Sequence, residues 1–523
     1  MEQQIQQKNE QEKQNLNESE ESLELIEIVS TLTKKQNIFI LSLVFLSAFI
    51  LLSIHWIYAN TGNVTLDQLI FLFKVPVKGT NMGMIWDYII WTFPRIFAIV
   101  GITGLAIYFF QKKLNTTLIK KKKILYFASK SVLIASIIVV CSMMNVFGFV
   151  KNQITASSFI EEEYVDPFEV SIQFPEEKQN LIYIYLESME STFSSTKEGG
   201  MYEKNRIPEL TEIAKNNISF SNTDKMGGAV DLKGTHWTIA AMVSQTAGVP
   251  LKISIGDNDY GKHSSFLPGS YTLGEVLEEN GYKNYLLIGS ESEFGGRKLY
   301  FESHGNYDIW DYNSAIEESR MTKEDKVWWG YSDNDLFKYA KEQLTEISKN
   351  HEPFNFTMLT VDTHFTDGYK CECCENNFKD QYSNVLQCSS KQVSEFVNWI
   401  KEQPFYENTT IIISGDHLTM QQSVEDEANY NKYKERTIYN AIINANANSE
   451  TQSINTQNRD FFTMDMYPTT LAALGAKIEG NRLGLGTNLF SNEQTIAEKY
   501  GVQYVREEIE KKSTFYNKKL IYN

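Results

Sequence analysis

The residues best suited to chemistry follow three apolar, strand-like stretches. Glu187 comes directly after "NLIYIYL", Asp362 and His364 come after "FTMLTV", and Asp416 and His417 come after "TTIIISG". Ligands of α/β sheets gather where the strands end at their carboxyl termini. We therefore expect these acids and imidazoles to meet at one edge of a sheet.

Three of these residues form a candidate metal site. Glu187 and Asp416 offer hard oxygen donors and His417 offers a nitrogen, a set that suits Mn²⁺, then Zn²⁺, then Mg²⁺. Taken singly, Asp416 and His417 are also typical of a turn after a strand, and Glu187 of a charge at a helix start. The combination favours the metal site.

A candidate nucleophile lies in "GGAVDLKGTHWTIAAMVSQTAGVP", where Thr238 precedes an apolar, helix-like run. Phosphate groups bind well at a helix N-terminus. A divalent metal beside a hydroxyl lowers its pKa and makes it a nucleophile. The alternative is that Thr238 is an N-cap without chemistry.

From residue 180 onward, strand-like and helix-like stretches alternate. "NLIYIYLES", "YKNYLLIGS", "FNFTMLTVD" and "TTIIISGD" are typical of buried strands, and helices are predicted from Asp333, over "SKQVSEFVNWIKEQ" and over "DMYPTTLAALG". Such alternation predicts an α/β fold with a mixed, mostly parallel sheet sandwiched by helices.

Three apolar stretches before this region, at residues 38–58, 85–110 and 124–147, each have the ~20 residues that cross a bilayer. Lys34, Lys35 and the lysines of "QKKLNTTLIKKKK" predict a cytoplasmic N-terminus and an extracytoplasmic region after residue 150. The short stretch "LDQLIFLFKVPV" is expected at the membrane interface. The net charge of −17 argues against a nucleic-acid partner and indicates a solvated acidic surface.

Four cysteines, Cys371, Cys373, Cys374 and Cys388, lie close together in the sequence, whereas Cys141 is in the third apolar stretch. In an oxidising compartment the cluster predicts one or two disulfides that pin a loop. A zinc site is the alternative, but C-x-C-C departs from the usual C-x2-4-C spacing. The pairing stays open.

The motifs "NLIYIYLES", "GTHWTIAAMVSQTAGVPL", "TVDTHFTDGY", "IIISGDHLTM" and "NRLGLGTNLF" occur in this order. Together, over about residues 178–492, the chain resembles the phosphoglycerol transferases that decorate periplasmic glucans. That group lies in the lipoteichoic acid synthase and phosphoethanolamine transferase branch of the alkaline phosphatase/sulfatase superfamily. The cysteine-bearing stretch also resembles this group.

The resemblance implies roles for residues at the matching positions. It implies a metal site of Glu187, Thr238, Asp416 and His417, with Thr238 rather than Thr235 as the nucleophile.

Two further residues are implied to bind substrate, His364 at the phosphoglycerol head group and Arg297 near the phosphate. The chain departs from the pattern before Arg297, where Gly295 and Gly296 stand and a tryptophan is expected. A surface salt bridge is the alternative for Arg297.

The implied reaction moves phosphoglycerol from phosphatidylglycerol to a hydroxyl of an envelope glycan or a glycerol-phosphate polymer, through a phosphothreonine and with Mn²⁺ as the expected cofactor. Phosphoethanolamine transfer and phosphodiester hydrolysis are the alternatives. The C/S-x-P-x-R frame that sulfate ester hydrolysis needs is absent from the sequence. A non-enzymatic anchored protein is disfavoured because all four implied metal-site residues are present.

The expected organisation is that of a multi-pass protein of the bacterial cell membrane with an extracytoplasmic catalytic domain. The predicted parts are a cytoplasmic polar tail (1–37), a transmembrane region (38–150), a linker (151–177), a sulfatase-like catalytic domain (178–495) and a C-terminal helical extension (496–523).

Overall fold

The computed structural model describes residues 34–60, 64–74, 82–113, 118–253, 266–446 and 454–522. The chain forms two compact units. One comprises Met1–Ala59 and Met82–Phe147, and the other comprises Asn60–Asn81 and Gly148–Asn523. We call them the membrane unit and the catalytic unit. The residues between the first two long helices therefore group with the catalytic unit.

The membrane unit contains three long helices, α1 (Lys34–Asn60), α3 (Met82–Lys113) and α4 (Leu118–Met143). Each is long and apolar enough to cross a membrane. Large apolar side chains such as Ile90, Phe97 and Ile138 are exposed on these helices, as lipid-facing side chains are. The prediction of three candidate spans is confirmed.

The catalytic unit is built on a six-stranded sheet, whose strands are β2 (Asn180–Leu186), β4 (Lys283–Ile288), β5 (Asp308–Trp310), β6 (Phe354–Leu359), β7 (Thr409–Gly415) and β9 (Asn440–Ile443). Their order across the sheet is β5-β4-β6-β2-β7-β9. All neighbouring strands are parallel except β9, which runs antiparallel to β7. Every residue of β2, β6 and β7 is buried, as in strands covered on both faces. The predicted mostly parallel sheet is confirmed.

Two hydrophobic layers cover this sheet. Tyr183 and Tyr185 of β2 pack into one layer, with Met242 from a helix on that face, while Ile182 and Ile184 pack into the other, with Phe396. Alternate side chains of a strand point to opposite faces, so one strand contributes to both layers.

Further helices, together with loop residues, contribute to these layers or flank them in the sequence. They are α2 (Leu66–Lys74), α5 (Val146–Ile154), α6 (Phe159–Glu163), α7 (Pro208–Asn216), α8 (Thr238–Ala247), α9 (Leu273–Glu279), α10 (Arg297–Ser303), α11 (Tyr312–Glu317), α12 (Asp333–Ile347), α13 (Gln381–Lys401), α14 (Gln422–Tyr430), α15 (Met466–Ala473), α16 (Ile496–Tyr500), α17 (Val502–Glu510) and α18 (Thr514–Tyr516). The described residues also form short two-stranded sheets: β1 (Ile172–Gln173) with β10 (Lys477–Ile478), β3 (Ala229–Val230) with β8 (Thr437–Ile438), and β11 (Arg482–Leu483) with β12 (Gly486–Thr487).

The helices expected from the sequence are present. Helix α12 begins at Asp333, and the apolar face of α13 that contains Val393 and Phe396 is fully buried. Helix α15 is followed by Gly475, whose φ of 84° is the left-handed conformation that favours glycine after a helix.

The cysteine cluster forms two disulfides, Cys371–Cys373 and Cys374–Cys388. The second joins the loop after β6 to α13. The disulfide alternative is therefore the one that the structure supports, and Cys141 is a free cysteine in α4.

Candidate active site

Strand register brings the candidate residues together. In the parallel pairing of β2 with β7, Leu186 is opposite Gly415, so Glu187 and Asp416 each follow the end of a paired strand. Strand β6 pairs with the other side of β2, with Leu359 opposite Tyr185. The loops after all three strands therefore open at one edge.

Glu187, Asp416 and His417 form a cluster in which the possible ligand atoms all lie within 4.8 Å of one another. His417 Nε2 is 3.6 Å from Glu187 Oε1 and 3.4 Å from Asp416 Oδ2. All three side chains are buried. The cluster does not include Asp362.

The hydrogen bonds of the cluster orient its ligand atoms. Asp416 Oδ1 accepts from the backbone N–H groups of Ser188 and His417, both at 2.7 Å. Asp416 Oδ2 is buried and has no hydrogen-bond partner among the described residues. His417 Nδ1 lies 2.8 Å from the carbonyl of Leu418; a neutral ring that donates there has Nε2 as its unprotonated nitrogen. Two carboxylates and an imidazole arranged in this way fit a divalent cation.

The charges of the cluster depend on one another. Burial, with the Glu187 carboxylate beside it, raises the pKa of Asp416 to about 8. Burial also opposes ionisation of Glu187, but His364 and His417 outweigh it and lower the pKa of this carboxyl. Burial disfavours the imidazolium of His417, yet Asp416 and Glu187 raise its pKa. Perturbed groups of this kind are typical of functional sites.

Thr238 is the first residue of α8, and its Oγ1 donates a hydrogen bond of 3.3 Å to Glu187 Oε2. The rest of α8 is buried in the core, which fixes the position of its N-terminus. Thr235 differs because its hydroxyl is buried and donates to the carbonyl of Leu232 at 2.8 Å. Of the two threonines, Thr238 is the one whose hydroxyl contacts the cluster.

His364 lies in the loop after β6, half-buried, with Nδ1 2.6 Å from the carbonyl of Phe365. Burial lowers its pKa, which favours the neutral form of the ring. Its ring packs against Phe365 and Trp329, with ring centroids 4.5 and 5.1 Å apart. Trp329 was not predicted from the sequence, where its only signal is the pair of tryptophans in "VWWGYS".

Arg297 begins α10 and is buried, with 6% of its surface exposed. Its Nε and Nη2 donate to the carbonyls of Phe294 and Glu291 at 3.0 and 2.9 Å. Burial lowers its pKa to about 10, although acidic groups that include Glu187 and Asp416 counteract this. The alternative of a surface salt bridge is wrong, because the guanidinium is held inward by backbone carbonyls.

Buried acidic groups that were not predicted from the sequence support these loops. The Asp333 carboxylate accepts from the backbone N–H groups of Val361 and Asp362, ahead of His364. Glu190 pairs with Arg436 and accepts from the backbone N–H of Thr419. The nearness of Glu190 to Glu187 in "LESMES" was a signal for it, whereas Asp333 could not be separated from an ordinary acidic helix start.

Sequence comparison identifies relatives of this chain. A family profile described as Sulfatase matches residues 179–476. Phosphoglycerol transferase I of Escherichia fergusonii is 31% identical over 328 residues, which are 61% of this chain and 40% of that protein. The corresponding protein of Escherichia coli O127:H6 is 30% identical over 334 residues, which are 62% and 41%. The chain thus spans about two fifths of the length of these curated relatives.

Solved structures with similarity to this chain include the lipoteichoic acid synthase LtaP from Listeria monocytogenes, with 18% identity and a TM-score of 0.48, covering 64% of this chain and 80% of that one. The phosphoethanolamine transferase EptA from Neisseria meningitidis has 11% identity and a TM-score of 0.47, covering 82% and 83%.

The sulfatase profile covers more than half of the chain and includes Thr238 and the cluster of Glu187, Asp416 and His417. The chain belongs to the sulfatase family.

Proposed function

We propose that this protein is a membrane-anchored, metal-dependent transferase. It moves phosphoglycerol from phosphatidylglycerol to a hydroxyl of a cell-envelope glycan or glycerol-phosphate polymer. The observation that carries the proposal is the Thr238 hydroxyl at the start of α8, 3.3 Å from Glu187 and beside the cluster with Asp416 and His417. Support also comes from the phosphoglycerol transferase relatives.

In the first half-reaction, the Thr238 hydroxyl attacks the phosphorus of the lipid. A bond forms between Thr238 Oγ1 and phosphorus, the bond to the diacylglycerol oxygen breaks, and the proton of the hydroxyl ends on diacylglycerol. The free backbone N–H groups at the start of α8 would donate to the phosphoryl oxygens and stabilise their charge.

Glu187, Asp416 and His417 would hold the metal, with Thr238 Oγ1 beside them. When bound, a divalent cation lowers the pKa of a neighbouring hydroxyl and neutralises phosphoryl charge. Mn²⁺ is our proposed ion, since two carboxylates and one imidazole without thiolates suit it.

The second half-reaction regenerates the threonine. A hydroxyl of the acceptor attacks phosphorus, the bond to Thr238 Oγ1 breaks, and the acceptor proton returns to Thr238. His364 is proposed to orient the glycerol head group, and its Nε2 is the nitrogen of the neutral ring that can take up a proton. The buried Arg297 is proposed to act near the phosphate through its positive charge.

The proposed orientation places the N-terminus in the cytoplasm of a bacterium and the catalytic unit outside the cell membrane. The lysine-rich segment between the second and third spans supports it. Holding the site at the membrane keeps it near a lipid donor.

Phosphoethanolamine transfer and hydrolysis of phosphodiesters would use the same residues. The test uses the full-length chain in detergent with Mn²⁺, fluorescent-acyl phosphatidylglycerol and, in parallel, the matching phosphatidylethanolamine. We expect labelled diacylglycerol from phosphatidylglycerol only, and none from the Thr238→Ala variant.

The controls separate the alternatives. Thr235→Ala is the matched variant and should retain activity, because its hydroxyl contacts Leu232 and not the cluster. Release from phosphatidylethanolamine alone would assign the protein to the other transferase activity. No release from either lipid, with metal bound, would contradict a lipid donor.

A further inference from the structure

The described part of the segment between the first two candidate spans packs against the residues that precede the candidate nucleophile. Asn60–Asn81 belongs to the catalytic unit, and its described part contains α2, with Asp67, Gln68 and Phe71 buried. We call Asn60 together with residues 64–74 the inter-span segment.

Gln68, Thr65 and His236 are joined in a ring of hydrogen bonds, and His236 lies two residues before Thr238. Gln68 Nε2 donates to the carbonyl of His236 at 3.1 Å. His236 Nδ1 accepts from the N–H of Gly234, so Nε2 of the neutral ring carries hydrogen and can donate to Thr65 Oγ1 at 3.2 Å. The Thr65 hydroxyl donates in turn to Gln68 Oε1 at 3.1 Å.

An aromatic contact and a charge pair hold the same stretch. Phe71 packs on Trp237, which directly precedes Thr238, with ring centroids 5.6 Å apart. Asp67 faces Lys233 at 3.8 Å. The inter-span segment thus contacts the backbone that leads into α8 at several points.

The segment also contacts the loops that carry the two candidate histidines. Gln68 Nε2 lies 3.9 Å from Met420 Sδ, three residues after His417. The hydroxyl of Thr366, two residues after His364, donates to the carbonyl of Asn60 at 2.7 Å. The inter-span segment therefore contacts three loops from separate parts of the sequence. They are the stretch before α8, the loop after β6 and the loop after β7.

We infer that the inter-span segment is part of the catalytic apparatus and that Gln68 is a positioning residue for Thr238. Gln68 is 6% exposed, and its amide donates to the backbone carbonyl two residues before the nucleophile. Displacing a reacting atom by ~1 Å can cost on the order of 100-fold in rate. The inference rests on the proposed role of Thr238. It implies that residues 148–523 alone do not form the complete active site.

The test compares Gln68→Ala with Gln403→Ala in the full-length chain, reconstituted in nanodiscs of phosphatidylglycerol with Mn²⁺. Gln403 is the matched control because its amide also donates to a backbone carbonyl, that of Trp399 at the far end of α13. We expect Gln68→Ala to lower kcat about tenfold or more, with KM and Mn²⁺ affinity unchanged. Gln403→Ala should retain the wild-type kcat.

A second variant separates the two roles of the side chain. Gln68→Glu keeps the acceptor for Thr65 but removes the donor to His236. If positioning depends on the donor, Gln68→Glu should lose as much kcat as Gln68→Ala. Unchanged Mn²⁺ affinity in both variants shows that the catalytic unit is folded.

Hydrogen exchange tests the inference without any activity. Amides of residues 234–240 should exchange faster in Gln68→Ala than in wild type, and at the wild-type rate in Gln403→Ala. If wild type transfers nothing from any lipid, the proposed function fails while this readout still tests the positioning role. An unchanged kcat, an effect confined to KM, or unchanged exchange at residues 234–240 would overturn the inference.

Discussion

At the scale of single residues, the candidate metal site holds acidic groups that are unfavourable without a cation. Asp416 and Glu187 are buried side by side, and burial with this neighbour raises the pKa of Asp416 to about 8. Functional sites in enzymes often lower the stability of the fold because the groups needed for activity are unfavourable when no ligand is bound.

The first prediction at this scale concerns Asp416→Asn. Wild type should be stabilised by Mn²⁺, by about 2.7 kcal/mol at 100 times the Kd. The variant lacks one anionic ligand and should gain no stability from the ion, while in EDTA it should be at least as stable as wild type. Thermal unfolding with EDTA and with Mn²⁺ measures both effects.

The control is Asp465→Asn, another buried carboxyl that lies outside the cluster and accepts from the backbone of Phe462 and Thr487. It should retain stabilisation by Mn²⁺. Equal stabilisation of Asp416→Asn and wild type would show that the ion binds elsewhere.

The second prediction concerns pH and Asp465. Burial raises the pKa of Asp465 from 3.8 to about 7, so the folded state binds this proton more tightly than the unfolded state. The stabilising contribution is fully present below the unfolded pKa and is lost as pH rises through the folded pKa. Between the two values the loss is about 1.4 kcal/mol per pH unit.

Asp465→Asn removes that titration, although the amide also disturbs one accepted hydrogen bond. The excess stability of wild type over the variant should therefore shrink as pH rises from about 5 to about 8. Urea unfolding at both pH values measures the difference. A gap that stays constant or widens with pH would contradict the account.

At the scale of elements, the disulfide Cys374–Cys388 ties the loop that follows β6 to α13. It closes a sequence separation of 14 residues, for which loop entropy gives about 3 kcal/mol. Cys388→Ser should lower the free energy of unfolding of the catalytic unit by about this amount. Denaturant unfolding without reductant measures it.

Cys141→Ser is the control for this prediction, since Cys141 is a free cysteine in α4 of the membrane unit. It should leave unfolding of the catalytic unit unchanged. If Cys388→Ser and Cys141→Ser behave alike, the disulfide contributes little to this unit.

The elements that the sequence predicted well are those whose pattern is local. The four buried strands are continuous apolar runs, and α13 repeats apolar residues at helical spacing, so periodicity sufficed. The convergence of Glu187, Asp416 and His417 followed from the rule for strand ends. Their placement in one cluster agrees with that expectation.

What could not be predicted depends on contacts between distant residues. Trp329 reaches His364 from a loop that has no motif, and Asp333 satisfies backbone groups of a loop about 28 residues away in the sequence. Gln68 donates a hydrogen bond to His236, which lies 168 residues away in the sequence. No local period encodes such contacts. The boundaries of the domains and the roles of the site residues remain predictions.

At the scale of the whole molecule, the grouping of Asn60–Asn81 with the catalytic unit bears on topology. Two candidate spans lie between Asn60–Asn81 and Gly148–Asn523 in the sequence, so we expect both parts on the same side of the membrane. The lysines around residue 120 predict that this side is extracytoplasmic.

Reporter fusions test this orientation. A periplasmic-active phosphatase should be active when fused after Asn523 and inactive when fused at residue 115, and a cytoplasmic fluorescent reporter should show the reverse. The same reporters fused at residue 78 should match the C-terminal result. A phosphatase that is active only at residue 115 would invert the topology.

Thr238 is proposed to carry the transferred group. The most direct measurement incubates the full-length protein with phosphatidylglycerol and Mn²⁺ in the absence of an acceptor, followed by quenching and mass spectrometry of its peptides. We expect one phosphoglyceryl group on the peptide that contains Thr238 and no such group in Thr238→Ala. The group should be lost from wild type when an acceptor is added. Diacylglycerol release without an adduct, or an adduct on another residue, would contradict the claim.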